Sequence, residues 1–478
     1  MHRLHGADAL FLYSETPAQH MHTLKIGILD PSANPEGYSF EREKQKLASR
    51  LHRVPPFRWR VVPTPLALHH PVFIESEVDV DFHLRRAAVP SPGGMREFCE
   101  LVSEIASRPL DRSRPLWELW FCEGLAGGKV ATVSKIHHTL ADGVASAELL
   151  NEFLTHGPDE EVLHAAPPLA PERTPSWGRQ LALGLRDLWQ FLPRATREIA
   201  RAVRETRRRE ARSRAEHLEL PPRAGTAPPT SLNGVLSAQR RFACASLPLA
   251  DANAVRRAFG VTLNDVVVAL VAGALRAYLS ARRELPEAAL VATIPVSLRT
   301  AEDAGRYGNH TGAMFVALRS DLADPIERLL ATRDAARTAK HHFQDTKGAQ
   351  LADWLELFPP FLSRVVFSRF PTWMKKLGRP SQANAIISNV PGPGEALYYG
   401  QTKLEDFFSV GPLLEGIGLN VTVWSYADRL ELSLLACRDA VRDPWELILA
   451  LQAELEVLAK AAATRPPAAQ ASTSGATS

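Results

Sequence analysis

The feature that most constrains the fold is the stretch from Lys129 to Leu154, which combines a strand, a short polar loop and a helix. Its first part, Val130–Ile136, is a β-prone run. Apolar residues at helical spacing begin at Val144. A titratable imidazole at the end of a strand, followed by a glycine-containing loop and a helix, is typical of a general-base site. The residues of that loop with chemical interest are His137, His138, Asp142 and Gly143.

Length and charge limit the class of protein. A chain of 478 residues is too long for one ordinary hydrophobic core, so we expect two domains. The composition, 45% hydrophobic and 23% charged, is that of an ordinary globular protein. A net charge of +3 argues against a protein that binds nucleic acid over its whole surface.

The cysteines and the N-terminal segment indicate a cellular compartment. The four cysteines lie far apart and form no Cys-x-x-Cys pair, which argues against a zinc site and against a disulfide framework. The first residues lack the apolar core of a signal peptide. No run approaches the roughly 20 apolar residues that span a bilayer. We therefore expect a cytoplasmic protein.

The order of the predicted elements divides the chain into four parts. Strands and helices alternate over residues 1–157 and again over 236–463, which predicts a mixed α/β layer structure. Between them, residues 158–235 hold two Pro-rich connectors around a basic segment, Arg194–Arg214, with nine arginines and three glutamates. Residues 464–478 have the composition of a disordered tail.

The His-His-x-x-x-Asp-Gly pattern resembles the HHxxxDG motif of acyltransferases related to chloramphenicol acetyltransferase. Other segments are similar to the bacterial wax ester synthase/diacylglycerol acyltransferase family of that group, in the expected order over residues 1–460. The resemblance implies an α/β fold of mixed sheets with flanking helices, arranged as two chloramphenicol acetyltransferase-like domains with a channel between them. The segments are DALFLYSET, Met21-His22, Pro109–Leu119, Asn264-Asp265, Ser297–Arg299, Gly308-Asn309, Ile387–Pro393 and the stretch that begins at Gly418.

The resemblance implies an O-acyltransferase that moves a fatty acyl group from acyl-CoA to a long-chain alcohol or to diacylglycerol. It implies that His138 takes the proton from the alcohol and that no covalent acyl-enzyme forms. A histidine suits this role because its ordinary pKa lies near working pH. We expect His137 to hold the loop rather than to react. The reaction needs no cofactor and no metal, since acyl-CoA is a substrate.

The role of Asp142 has two readings. It could orient the catalytic imidazole, as the acid of a triad does. The resemblance instead implies an ion pair with an arginine that shapes the loop, and Arg299 is the candidate partner because a guanidinium binds a carboxylate in a planar fork. Gly143 is expected to permit a backbone conformation closed to other residues, or a close approach of substrate.

Three further segments hold candidate residues, each with a functional and a purely structural reading. Asn264 either contacts the thioester or its oxyanion, or caps a helix together with Asp265. The run Pro115, Leu116 and Trp117 either contacts the acyl chain or packs in the core. Ser388 and Asn389 either contribute polar contacts near the channel or cap the turn that follows.

The segment from Trp177 to Arg214 is either a solvated connection between domains or an interfacial helix, because arginines lie beside tryptophans there. Anionic lipid would attract such a segment to the inner membrane face or to lipid inclusions, and the phosphates of CoA are a third partner. Two rival functions stay open: a condensation-type enzyme with a carrier-protein thioester as donor, and a non-catalytic lipid-binding protein. A metal site at His137, His138 and Asp142 is disfavoured.

Overall fold

The structure is a computed structural model that describes residues 2–140, 152–158, 171–189, 197, 204, 221–223, 225–299, 308–309, 311–345, 360–363, 365–366 and 381–465. The predicted loop residues Asp142 and Gly143, most of the basic segment and the tail beyond Arg465 lie outside the described residues.

Strands are numbered in chain order. They are β1 (His2–Arg3), β2 (His22–Asp30), β3 (Trp59–Val62), β4 (Val72–Glu75), β5 (Leu84–Ala88), β6 (Trp117–Glu123), β7 (Val130–His137), β8 (Arg240–Pro248), β9 (Val291–Ser297), β10 (Thr311–Ala317), β11 (Ala385–Val390), β12 (Tyr398–Tyr399), β13 (Thr402–Val410), β14 (Leu419–Tyr426) and β15 (Arg429–Cys437). The α-helices in the described part of the chain include Gly6–Ser14, Phe40–Arg50, Val80–His83, Met95–Ala106, Leu249–Phe259, Leu263–Ala281, Pro325–Asp345 and Trp445–Ala463. Residues 177–189 are also helical.

The first large sheet carries the predicted general-base segment. Its strand order is β12-β13-β2-β7-β6-β5, with β7 antiparallel to both of its neighbours and β5 parallel to β6. Strands β12 and β13 come from the far end of the chain, and β13 pairs antiparallel with β2. The second half of the chain therefore completes the sheet on which the first half places its histidines.

The second large sheet has the order β10-β9-β11-β14-β15-β8, with β11 parallel to β9 and to β14. The helices Leu263–Ala281 and Trp445–Ala463 bury their apolar residues in one cluster with the side chains of this sheet. Both large sheets are mixed and both carry helices, so the predicted α/β class is confirmed. A small sheet, β1-β4-β3, lies beside the first half.

Strand β9 lies inside the second sheet although it contains Pro295, which has no backbone N–H to donate to a neighbouring strand. The reason that this position tolerates proline is local. β11 pairs with β9 only at Ala292 and Thr293, so the ladder between them has ended before Pro295. Beyond that point β9 keeps β10 as its partner. The missing N–H of proline therefore breaks no bond to β11.

The helix Leu263–Ala281 begins with a capping box. The Thr262 side chain accepts a hydrogen bond from the Asp265 N–H, and the Asp265 carboxylate accepts one from the Thr262 N–H. Contrary to our expectation from the sequence, this helix is long and apolar enough to cross a bilayer. It is nevertheless mostly buried, and its apolar side chains belong to the core of the second half.

The two halves also share an apolar cluster. The helix Met95–Ala106 packs against β8, and the sulfurs of Cys99 and Cys244 lie 3.6 Å apart between them. All four cysteines are buried free thiols. The predicted domain boundaries at residues 157, 235 and 463 stay predictions. Strands β12 and β13 belong to the predicted domain 236–463, but they are part of the first large sheet.

Candidate active site

Strand β7 ends at the first of the two adjacent histidines, and the second lies in the turn that follows. His137 is the last residue of the strand and pairs with His22 of β2. The His138 N–H donates to the Met21 carbonyl at 2.7 Å, and the Leu140 N–H donates back to the His137 carbonyl at 3.0 Å. These bonds hold the backbone in a turn at the strand end. His138 is half-buried, while His137 is completely enclosed.

The His138 ring is held by contacts from two directions. The Phe11 ring, on the helix Gly6–Ser14, stacks on it with centroids 4.2 Å apart and planes inclined by 17°. On the edge of the ring, Nδ1 lies 2.7 Å from Oδ1 of Asn309. Asn309 belongs to the second half of the chain, so the two halves meet at the predicted base.

The Asn309 amide makes a complete set of hydrogen bonds. Its Nδ2 donates to Oδ1 of Asp8 and to the His138 carbonyl, both at 2.7 Å, and its backbone N–H donates to the same Asp8 oxygen at 2.8 Å. Both amide hydrogens are thus directed at acceptors, which leaves Oδ1 as the acceptor facing the imidazole. This network assigns the proton to Nδ1 of His138 and the lone pair to Nε2.

Asp8 joins the same arrangement through its backbone. The Thr139 hydroxyl donates to the Asp8 carbonyl at 2.8 Å, so the helix Gly6–Ser14 is fastened to the loop after His138 as well as to Asn309. Gly308 precedes Asn309 with φ at 116°, a conformation that favours glycine. A Cβ there would lie 3.4 Å from the Asp8 carboxylate. The Gly-Asn pair is therefore shaped to bring the amide to Asp8.

His137 has the contacts expected of a residue that holds the loop. Its Nδ1 accepts from the Thr139 N–H at 3.1 Å, and its Nε2 lies 3.5 Å from a carboxylate oxygen of Glu15. Burial lowers its pKa below the ordinary value, in spite of Glu15, so the ring is neutral at neutral pH. These contacts support the predicted loop-holding role.

Glu15 is the charged centre behind the histidines. Arg112 donates to it through Nε at 2.8 Å, and Nε2 of His22 lies 3.6 Å from it. Burial raises the pKa of Glu15, but hydrogen bonding to His137 and His22 and the charge of Arg112 outweigh burial and lower the pKa well below its usual range. Glu15, Asp8 and Asn309 were absent from the sequence-based candidates. The sequence signal that could have identified them is their position in two segments that resemble the family, DALFLYSET for Asp8 and Glu15 and Gly308-Asn309 for Asn309.

The run Pro115, Leu116 and Trp117 packs in the core. Leu116 and Trp117 are 0% and 1% exposed. The Trp117 indole donates to the Phe57 carbonyl at 2.7 Å and stacks on the Phe57 ring, while the Leu116 carbonyl accepts from the His137 N–H at 2.9 Å. These contacts fit the structural reading of this run, and they hold the strand end that precedes the predicted base.

The cap at the start of the helix Leu263–Ala281 is made by Thr262 and Asp265, and the half-buried Asn264 takes no part in that pair. Contact of Asn264 with substrate stays a prediction. Arg299 donates through Nη2 to the Gly308 carbonyl at 2.7 Å, which supports the segment that holds Asn309. Its predicted partner Asp142 lies outside the described residues.

Ser388 and Asn389 lie on β11, paired with Thr422 and Val423 of β14. The turn that follows is held by Ser425, whose Oγ accepts from the Gly392 N–H at 3.0 Å. The turn-capping reading therefore fits Ser425 better than either residue. In the described part of the chain, no group of three or more His, Cys, Asp or Glu side chains is placed to hold a metal ion.

Comparison with protein families gives one consistent result. Residues 4–267 match the wax ester synthase/diacylglycerol acyltransferase catalytic domain, and residues 307–459 match the C-terminal domain of the same family. A Mycobacterium tuberculosis protein provisionally named as a diacylglycerol O-acyltransferase is 43% identical over 466 residues, which cover 97% of this chain and 98% of the relative. A second protein of that organism with the same name is 38% identical, with 97% of each chain covered.

Solved structures agree. The wax ester synthase/diacylglycerol acyltransferase from Marinobacter aquaeolei VT8 is similar with a TM-score of 0.71 and 29% identity, covering 97% of this chain and 100% of that one. The first condensation domain of the calcium-dependent antibiotic synthetase has a TM-score of 0.57 at 16% identity, with 97% of both chains covered. At that identity the likeness concerns the fold alone, and it confirms the fold that the motifs predicted.

Proposed function

Because the chain belongs to the wax ester synthase/diacylglycerol acyltransferase family, we propose that it transfers a fatty acyl group from acyl-CoA to the hydroxyl of a long-chain alcohol or of diacylglycerol. The products are a wax ester or a triacylglycerol, together with free CoA. Membership of the family makes the protein an acyltransferase; the donor, the acceptor and the residue roles are the content of the proposal.

His138 is the general base of the proposed reaction. Its Nε2 takes the proton from the alcohol as the oxygen attacks the thioester carbonyl, and a tetrahedral intermediate forms with negative charge on the former carbonyl oxygen. The intermediate expels the CoA thiolate, which receives the proton from the imidazolium. One C–O bond forms and one C–S bond breaks, with no acyl group on the enzyme.

A single observation carries this assignment: Nδ1 of His138 lies 2.7 Å from an amide oxygen whose own nitrogen is fully used. A general base needs a lone pair on the nitrogen that faces the substrate, which is Nε2 in the proposed reaction. The contact with Asn309 directs the proton to Nδ1 and so leaves the lone pair on Nε2. Phe11 stacked on the ring restrains the same orientation.

The acceptor is argued from the relatives. The Mycobacterium tuberculosis proteins carry diacylglycerol O-acyltransferase in their names, and the Marinobacter aquaeolei protein carries both activities. Both acceptors present a hydroxyl on a long apolar chain, so we include both. Asn264 is the proposed polar contact to the thioester or its oxyanion, and Ser388 and Asn389 are the proposed polar contacts near the channel. Asp142 and Gly143 are proposed to shape the loop after His138.

The deciding assay offers one acyl-CoA, palmitoyl-CoA, to hexadecanol and to dioleoylglycerol in competition, and measures both esters and free CoA. We expect ester and CoA in equal amounts from the wild-type chain and a loss of about a thousandfold or more in the His138→Ala variant. Asn253→Asp, on the second half, serves as a control.

Two outcomes would contradict the proposal. Ester formed only from an acyl group on a carrier protein would favour the condensation-type reaction, and no ester from either donor would favour a lipid-binding protein without activity. Wild-type turnover by His138→Ala would remove the histidine from the mechanism.

We further propose that the protein is cytoplasmic and touches membrane or lipid inclusions through the segment from Trp177 to Arg214. In its helical part, residues 177–189, Trp177 is 64% and Trp189 83% exposed. Exposed tryptophans beside an arginine-rich sequence suit the interface of an anionic lipid surface.

Flotation with vesicles tests this contact. We expect binding to vesicles that contain phosphatidylglycerol, weaker binding to pure phosphatidylcholine, and a clear loss in the Trp177→Ser/Trp189→Ser variant. Leu449→Ser, which removes an apolar side chain 59% exposed on the C-terminal helix, is the matched control. Equal binding of both variants would contradict the contact.

A further inference from the structure

The geometry points to Asn309, held by Asp8, as the positioning residue that sets the orientation and the tautomer of His138, so that the second half of the chain delivers an essential part of the base. This inference rests on the proposed function, because it assigns a role at the same imidazole. Its three members come from three segments: the first helix, the end of β7 and the Gly308-Asn309 pair.

The first step is the orientation of the Asn309 amide. In the alternative orientation, with oxygen and nitrogen exchanged, the amide oxygen would face the Asp8 carboxylate and the His138 carbonyl at 2.7 Å, so acceptors would meet acceptors. The observed orientation makes every one of these contacts a donor–acceptor pair. Asp8 therefore acts on the imidazole indirectly, by fixing which end of the amide faces Nδ1.

The second step is the double hold on His138. The same amide binds the ring through Oδ1 and the backbone carbonyl through Nδ2. Two bonds to one residue from one rigid planar group restrain the side-chain torsions as well as the tautomer. Loss of this hold would let the ring turn, and a displacement of about 1 Å in a reacting group costs on the order of a hundredfold in rate.

The third step concerns charge. In a serine-protease triad the third member is a carboxylate that also stabilises the imidazolium. Here the group that contacts Nδ1 is neutral, and the carboxylate of Asp8 lies one hydrogen bond further away. Charged or titratable groups near this arrangement include Arg299, which binds the Gly308 carbonyl, and the His137–Glu15 pair behind the turn.

A set of variants at positions 8 and 309 tests the inference with the acyl-CoA assay. Asn309→Ala should lower kcat about a hundredfold and change KM for palmitoyl-CoA less than about threefold, because the amide acts on the base and not on the substrate. Asn309→Asp should be at least as damaging, since two carboxylates would then face each other at the present 2.7 Å contact.

Exchange of the two groups supplies the decisive variant. Asp8→Asn/Asn309→Asp restores a donor–acceptor pair between the positions and places a carboxylate against Nδ1. We expect kcat at least tenfold above that of Asn309→Asp, and an acid limb of the kcat–pH profile about one pH unit higher, because the carboxylate raises the pKa of His138. A merely structural role of Asn309 would not move this limb.

The inference falls if Asn309→Ala keeps kcat within threefold of wild type, or if Asp8→Asn lowers the activity of Asn309→Asp further. Failure of the proposed function looks different: the wild-type chain would then form no ester, or His138→Ala would stay active. Wild-type protein labelled with 15N-histidine gives a test that needs no variant at positions 8 and 309. The imidazole signals lost in His138→Ala must show a protonated Nδ1, and a proton on Nε2 would overturn the inference.

Discussion

At the scale of single residues, the site separates the two adjacent histidines by environment. His138 is half-buried and receives a neutral amide as the hydrogen-bond partner of Nδ1. His137 is enclosed, and burial lowers its pKa. A neutral, buried imidazole that accepts from the Thr139 N–H is suited to shape a turn and poorly suited to exchange protons with a substrate. The same residue type thus serves structure at one position and, we propose, chemistry at the next.

Arg112 connects two of the resembling segments through Glu15. Its guanidinium also donates to the Leu12 carbonyl at 2.9 Å, so it fastens the end of the first helix. We predict that Arg112→Ala destabilises the fold by about 1–2 kcal/mol, less than for a fully buried pair because water reaches the half-exposed guanidinium. Urea denaturation measures the loss.

The matched control for this prediction is Arg114→Ala. Arg114 lies in the same loop and pairs with Asp79 at 3.0 Å, but the Asp79 carboxylate is half-exposed, whereas that of Glu15 is buried. The loss for Arg114→Ala should be clearly smaller than for Arg112→Ala. Equal losses in the free energy of unfolding would show that the ion pair of Arg112 with the buried Glu15 stabilises the fold no more than an exposed ion pair.

At the scale of elements, the helix Leu263–Ala281 shows how one local signal supports a large core. Its apolar side chains lie between the second sheet and the helices Pro325–Asp345 and Trp445–Ala463. An almost continuous apolar sequence could start a helix at several positions. The reciprocal bonds of Thr262 and Asp265 fix the start, and they also fix where the neighbouring Asn264 lies.

We predict that Thr262→Ala lowers the free energy of unfolding by about 1 kcal/mol, because the Asp265 N–H loses its acceptor. Denaturant unfolding is the measurement. Thr464→Ala at the end of the C-terminal helix, where the hydroxyl donates to the Ala461 carbonyl, should cost less than about 0.5 kcal/mol. A loss for Thr262→Ala no larger than that control would argue against the capping box as a source of stability.

At the scale of the whole molecule, the two halves depend on each other in three ways. Strand β13 of the second half pairs with β2, the helix Met95–Ala106 packs on β8, and Asn309 binds His138. Each contact joins residues far apart in sequence. The proposed base is therefore complete only when both halves have folded together.

Buried histidines also make the stability of the whole fold depend on pH. Burial lowers the pKa of His22 to about 3 and that of His70 to about 4, and it lowers the pKa of His137 as well. In the unfolded chain each of these histidines binds a proton near pH 6.5, whereas in the folded chain it does so only at a lower pH. Stability is therefore complete above about pH 6.5 and is lost as the pH falls towards the folded pKa values.

We predict that the free energy of unfolding falls between pH 6.5 and 5, by up to about 1.4 kcal/mol per pH unit for each such histidine. Glu431 offsets the effect of one such histidine. Burial raises the pKa of Glu431 to about 8, so its contribution to stability grows as the pH falls and is lost as the pH rises. Urea denaturation at several pH values measures the slope. His70→Gln should flatten it, and the exposed His341→Gln should not; a slope unchanged by His70→Gln would contradict the account.

The sequence by itself determined the elements and the family. Strand β7, the capping box and the helix after it follow from periodicity and cap residues, which act within a few positions of the chain. The HHxxxDG pattern and the other segments identified the acyltransferase family and His138 as the candidate base. Local signals suffice for these because the interactions that create them are local.

Only the tertiary structure decided which residues surround that base. Asp8 and Asn309 are 301 positions apart in the chain, and their contact with His138 depends on how two sheets are assembled. Pro295 could enter an inner strand because β11 diverges from β9 beside it, and β13 could join the first sheet because β2 left an edge open. No pattern along the chain encodes such pairings, since their free energy comes from contacts that exist only after the halves have met.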